Sequence, residues 1–230
     1  MTDTTLRIAM IDALRNGLRA TTPRQDAKGP GAVAPAGRPA VFIDKDGTLV
    51  ENVPHNVDPA LLRFQPGALE ALAAMSAAGF ALLVATDQSG LARGQFTRAQ
   101  LAQLQAVLEQ RLRREAGVQL LDFLVCPHAP GPGGGPACLC RKPAAGMLLR
   151  GARRHGIDLA RSWMVGDTLD DIEAGHRAGC RTALLDCGGE TLWRDSPLRR
   201  PDARCTRWQE LGKLIPAGRN DPVTLKSAPR

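Results

Sequence analysis

Asp44 and Asp46 bracket a lysine in Asp44-Lys45-Asp46-Gly47-Thr48, directly after the apolar run Val41-Phe42-Ile43. Two carboxylates aimed into a turn at the end of a strand can divide labour. One can attack as a nucleophile, forming a covalent intermediate that splits a hard displacement into two easier ones. The other can protonate the leaving oxygen and later activate water. Gly47 permits the tight backbone and Thr48 adds a hydroxyl. The same five residues also suit a plain solvated turn, because Asp and Gly are common there.

Three more polar clusters follow in order: Thr86-Asp87-Gln88-Ser89-Gly90, Cys140-Arg141-Lys142-Pro143 and Gly166-Asp167-Thr168-Leu169-Asp170-Asp171. The Thr86 hydroxyl, after Leu82-Leu83-Val84-Ala85, can donate to a phosphate oxygen, or it can cap a helix. Lys142 offers a compact positive charge. Asp170 and Asp171 read either as outer partners of a charged site or as acids of a first helical turn. Taken together, the four motifs resemble the haloacid dehalogenase superfamily of phosphatases over about residues 40 to 190. The resemblance implies Asp44 as nucleophile, Asp46 as acid and base, and Thr86, Gln88, Ser89, Arg141 and Lys142 as substrate contacts. It also implies a magnesium site made by Asp44, the main-chain carbonyl of Asp46 and Asp167. Magnesium keeps water and substrate oxygens beside few protein carboxylates, which suits that set.

A second metal is expected from Cys126-Pro127-His128 and Cys138-Leu139-Cys140, four ligands in two close pairs of the kind tetrahedral zinc takes. Between them runs a Pro and Gly segment with no side chains to build a core, and zinc binding can fold such a loop. Free thiols or one disulfide are the alternatives. Cys180, Cys187 and Cys205 are expected as small buried apolar groups. Arg141 and Lys142 follow the second cysteine pair, so the pinned loop would also aim them.

The zinc loop and the segment Thr86 to Gly94 narrow the resemblance to the phosphatases of D-glycero-D-manno-heptose 1,7-bisphosphate, which remove the 7-phosphate of a sugar destined for lipopolysaccharide. Histidinol-phosphate phosphatases are similar across the same motifs. Two positions depart from the pattern: Asp87 stands where the family has Asn, and His55 where it usually has Tyr. A fixed charge ~4 Å from a phosphate costs about 1 kcal/mol in water and about 4 kcal/mol at a screened protein dielectric. Asp87 should therefore turn away, pair with Arg93 or Arg141, or belong to a site adapted to another substrate, and pairing is the outcome favoured. His55 reads as a substrate contact or a simple loop histidine.

Strands must carry these motifs to one edge. Apolar runs and turn residues predict strands at 40–43, 80–85, 122–125, 163–165 and 182–185, and helices at 67–78, 97–115, 144–155 and 170–178. Leu101, Leu104, Leu108 and Leu112 make a core stripe on the second helix. The alternation gives an α/β class, a doubly wound, Rossmann-like parallel sheet with a zinc-pinned loop insert and no large cap domain. Ligands of such sheets bind beyond the strands' carboxyl ends, where Asp44, Thr86 and Asp167 should meet. Residues 39–216 form the phosphatase domain and 217–230 a tail. Residues 1–38 form an extension with a helical pattern at Leu6, Met10, Ile11, Leu14 and Leu18, and Met10 as another candidate start.

The 230 residues suit one domain with a real core. No apolar run approaches the ~20 residues of a membrane span. Arg7, Asp12 and Arg15 interrupt the first 20 residues, so no signal peptide is expected and residence is cytoplasmic. The net charge of +7 is spread over scattered arginines, with aromatics at 3% and no Tyr, so a stacking platform for nucleic acid is not expected. A basic binding module and a nucleic-acid 3′-phosphatase are the readings from other classes; a small phosphorylated sugar is the partner favoured.

Overall fold

The computed structural model describes residues 37–131 and 137–218. Its sheet has six parallel strands in the order β3-β2-β1-β4-β5-β6. They are β1 (Ala40–Ile43), β2 (Ala81–Asp87), β3 (Asp122–Cys126), β4 (Trp163–Gly166), β5 (Arg181–Leu185) and β6 (Ala203–Cys205). Five helices cover them: α1 (Ala68–Ala77), α2 (Arg98–Ala116), α3 (Gly146–His155), α4 (Leu169–Ala178) and α5 (Trp208–Ala217).

Side-chain alternation on β1 explains the two layers. Val41 and Ile43 join the core with α1, α2 and α5, whereas Ala40 and Phe42 join the one with α3. A strand buried on both faces reads as a continuous apolar run, as β1 does. The leucine stripe Leu101, Leu104, Leu108 and Leu112 is buried on α2. That helix starts from a reciprocal capping box between Thr97 and Gln100, which satisfies two otherwise orphaned donors.

The chain runs outward from β1 in both directions, to β2 and β3 on one side and to β4, β5 and β6 on the other. Reversal of direction beside β1 opens a crevice at the strands' carboxyl ends. β1 and β4 lie in register, Ile43 opposite Val165, so Asp44 and Asp167 leave neighbouring strand ends side by side.

Two elements were not among the expected ones, β6 and α5. β2 is also longer than expected: Thr86 and Asp87 pair with Val125 and Cys126, which keeps both inside the strand. The N-terminal helical pattern and the tail beyond Gly218 lie outside the described residues. Gly37 and Arg38, assigned to the extension, already belong to the packed body, since Arg38 bridges to Ile157. No helix among the described residues is long and apolar enough to cross a membrane.

Candidate active site

The loop after β1 is a compact knot. The Leu49 amide donates to the Asp44 and Lys45 carbonyls at 3.2 and 3.0 Å, Val50 donates to Lys45 at 2.9 Å, and Gly47 donates to Val50 at 2.9 Å. Gly47 has φ of 89°, left-handed backbone that costs a side chain dearly. An added Cβ there would also stand 2.2 Å from Asp167 Oδ2. The tight turn is therefore what lets Asp167 approach the loop.

Lys142 organises the carboxylates. Its Nζ donates to Asp44 Oδ1 and to Asp171 Oδ1, both at 2.5 Å, and to the Ala85 carbonyl at 3.2 Å. Three acceptors use all three donors of an ammonium, which fixes the group rigidly. Thr48 Oγ1 donates to Asp167 Oδ1 at 2.8 Å. Gln88 Nε2 bridges Asp46 Oδ2 at 2.9 Å and Thr86 Oγ1 at 2.8 Å. Lys45 pairs with the other oxygen of Asp46.

The charges do not balance. Burial pushes the Asp44 carboxyl well above the usual carboxylate range; Lys142 opposes that, and Asp171, Asp167 and Asp46 add to it. Asp167 is pushed up to about 6 by burial and by Asp171, against the Thr48 hydrogen bond and Lys142. Lys142 is raised well above its usual value, because Asp171 and Asp44 outweigh the burial that works against its charge. Oxygens of Asp44, Asp167 and Asp171 gather within 4.8 Å of one another. One ammonium donates to two of the three, and like charges so placed favour a cation.

The main chain tells the same story. Among the described residues, the carbonyls of the 44–50 loop all accept hydrogen bonds except that of Asp46. An oxygen left free in the same turn as Asp44 suits a hard cation, which takes carboxylate and carbonyl oxygens. The donor set therefore fits a magnesium-type ion.

Cys126, His128, Cys138 and Cys140 also converge. Sulfur separations are 3.6 Å for Cys126 to Cys138, 3.3 Å for Cys138 to Cys140 and 3.3 Å for Cys140 to Cys126, and His128 Nδ1 lies 3.2 Å from Cys140 Sγ. Tetrahedral bonds of about 2.3 Å generate edges of ~3.8 Å, close to these. The Arg141 amide donates to Cys138 Sγ at 3.2 Å, and the Gly146 amide to the Leu139 carbonyl at 2.9 Å. The cluster is thus tied to Lys142's own segment and to the start of α3.

The remaining sequence candidates fall as follows. Ser89 sits half-buried in the turn after Gln88. Arg141 points its guanidinium at the His128 carbonyl, 3.3 Å away. Asp87 does not pair with Arg93 or Arg141. Its Oδ1 is buried without a partner, and burial raises its carboxyl despite Lys142 and Arg141 nearby. The expected pairing fails because Asp87 lies in β2 opposite Cys126 while Arg141 turns to His128. His55 is exposed, with φ of 55°. Cys180 and Cys205 are buried as expected, but Cys187 is exposed and contacts the Gly47 carbonyl at 3.3 Å. It lies two residues past the end of β5, outside the sheet. Asp170 faces outward and pairs with Arg199, whereas Asp171 turns in to Lys142. Asp171 also closes the capping box with Thr168. Sequence reasoning left Asp171 undecided; the capping spacing Thr168-x-x-Asp171 is the signal that separates it from Asp170.

A D-glycero-beta-D-manno-heptose-1,7-bisphosphate 7-phosphatase from Mesorhizobium japonicum is 41% identical over 191 residues, covering 81% of this chain and 85% of the relative. The chain belongs to that phosphatase family. The Haemophilus ducreyi enzyme of the same name is 39% identical over 160 residues, covering 68% of this chain and 87% of its own. A HAD-hydrolase-like family model matches residues 139–210. Among solved structures, the D,D-heptose 1,7-bisphosphate phosphatase from B. bronchiseptica, complexed with magnesium and phosphate, aligns with a TM-score of 0.64 and 30% identity. It covers 77% of this chain and 97% of that one. The protein is a phosphatase of the haloacid dehalogenase superfamily, with the Rossmann-like sheet and, among the described residues, no large cap.

Proposed function

We propose that this phosphatase removes the 7-phosphate of D-glycero-D-manno-heptose 1,7-bisphosphate, by way of a phosphorylated Asp44. The observation that carries the reading is the convergence of Asp44, Asp167, Asp171 and Lys142, in a chain 41% identical to an enzyme of that name. Asp44 supplies the attacking carboxylate oxygen, and the bond from phosphorus to the sugar oxygen breaks as Asp46 gives that oxygen a proton. Water then attacks phosphorus, loses its proton to Asp46, and phosphate leaves with Asp44 restored. The positive charge of Lys142 and the hydroxyl of Thr86 stabilise the phosphoryl oxygens, whose charge spreads in the transition state. Gln88 aims Asp46 and Thr86 together. Asp44, Asp167 and the Asp46 carbonyl would hold magnesium, which when bound supplies positive charge to the phosphoryl oxygens.

Arg141 and Ser89 serve as further substrate contacts, beside a cavity of about 360 Å³ between Leu91, Phe96 and His128. A panel of heptose bisphosphate, histidinol phosphate and a 3′-phosphorylated oligonucleotide, each with magnesium, tests the assignment. Heptose bisphosphate is expected to give the highest kcat/KM, and an equal or higher value for either competitor removes the sugar assignment.

Zinc fits the Cys126, His128, Cys138 and Cys140 set, because three thiolates and an imidazole in a closed tetrahedron make a structural site. Cys140→Ser is expected to lose bound zinc by elemental analysis and to lower the melting temperature, at about 2–4 °C per kcal/mol for a chain of this size. Its kcat should fall too, since Lys142 follows two residues later. A purified parent without zinc that melts where the zinc-loaded protein does would sink the structural role.

A further inference from the structure

The knot after β1 satisfies the Asp44, Lys45 and Val50 carbonyls internally, yet those of Gly47, Thr48 and Leu49 are met from outside it. The Gly47 carbonyl accepts from Gln65 Nε2 at 3.1 Å and from Cys187 Sγ at 3.3 Å. The Thr48 carbonyl accepts from Trp208 Nε1 at 2.9 Å, across 160 positions of sequence. Trp208 opens α5 and is 1% exposed, and Thr48 is fully buried. The indole N–H is a donor only, so once buried it must find an acceptor. A core carbonyl anywhere would satisfy it. Here it meets the one residue whose hydroxyl holds Asp167.

We propose that Trp208 and Gln65 are positioning residues of the phosphatase reaction, clamping Gly47 and Thr48 so that Asp44, Asp167 and the Asp46 carbonyl stay converged. The clamp acts through a short relay. Trp208 fixes the Thr48 main chain, the Thr48 side chain fixes Asp167 Oδ1, and Gly47 lies against Asp167 Oδ2. Gln65 ties the same loop twice, by its side chain to Gly47 and by its amide to the Leu49 carbonyl at 3.0 Å. The β6 and α5 segment, which carries no catalytic group, thereby becomes part of what sets the site. The proposal rests on the catalytic reading of the loop and is independent of which sugar phosphate is the substrate.

The test compares Trp208→Phe, Gln65→Leu and Leu211→Ala on p-nitrophenyl phosphate. Leu211 is a fully buried core residue of the same helix. Trp208→Phe and Gln65→Leu are each expected to lose about tenfold in kcat, the equivalent of ~1.4 kcal/mol and of one hydrogen bond. KM for the ester should stay within about twofold, because transition-state alignment rather than ground-state binding is lost. The rise in melting temperature on adding magnesium chloride should shrink in both. Leu211→Ala is expected to melt lower than the parent while keeping its kcat below the melt. Unchanged kcat in Trp208→Phe and Gln65→Leu, an unaltered magnesium-induced rise, or an equal kcat loss in Leu211→Ala overturns the proposal. If Trp208→Phe does not fold, Gln65→Leu decides alone. Failure of the heptose assignment would appear in the substrate panel and leave this comparison intact.

Discussion

Asp44→Asn is expected to fold and to lose at least about 10⁴-fold in turnover, the scale seen when a covalent nucleophile is removed from machinery that otherwise survives. An amide keeps the shape and the acceptor that Lys142 needs, but it cannot attack phosphorus. The fold should not suffer. Asp44 is buried among Asp171, Asp167 and Asp46, and burial and that crowding raise its carboxyl. A neutral isostere removes one charge from the crowd, so the variant should melt at or above the parent's temperature. Trapping by acid quench should recover phosphorylated protein from the parent and none from the variant. Unchanged turnover would end the assignment of Asp44, and a low rate caused by unfolding would show as a lost melting transition.

Much of this arrangement was legible in the sequence because burial on both faces leaves a simple signature. The run Ala40-Val41-Phe42-Ile43 is strand β1 from end to end, and α2 is announced by Thr97, Gln100 and four leucines at helical spacing. The α/β order then carries Asp44 and Asp167 to adjacent strand ends through parallel pairing alone. β6 escaped because three residues at a sheet edge, one of them the exposed Arg204, carry no period to detect. α5 escaped because Gly212 and Pro216 break its helical pattern. The fate of adjacent charges was harder still. Asp170 and Asp171 look alike in a first helical turn, and helix phase alone sends one to Arg199 and the other to Lys142. Asp87 was expected to meet an arginine, but an arginine's long stem lets it choose, and Arg141 chose a carbonyl. Such outcomes depend on where loops close, which spacing does not encode.

Lys142→Ala should be the most damaging single change to stability at the site. The side chain is 5% exposed and pairs with Asp44 and Asp171, themselves 11% and 1% exposed. Removing one partner from a buried ion group typically costs about 3–5 kcal/mol, because the remaining charges stay buried and unpaired. At about 2–4 °C per kcal/mol, the melting temperature should fall by roughly 6–20 °C. The loss should depend on pH, and its sign follows from Asp44. In the folded parent, burial raises the Asp44 carboxyl and Lys142 pulls it down, so without Lys142 the folded chain holds that proton to higher pH. The unfolded chain releases it near the ordinary value of about 3.9. Between those limits the folded state binds more protons, and stability falls as pH rises. The variant should therefore stand closer to the parent in acid, where both folded chains keep the proton, and further from it as pH rises past the parent's raised Asp44 value; its kcat should also be reduced by about 10²–10³-fold for want of a charge beside the phosphoryl oxygens. Lys142→Met, which restores the apolar stem, separates packing from charge: it should recover little of either loss. A deficit that is constant across this pH range, or one that Met repairs, would mean that Lys142 fills space and does not hold the carboxylates together.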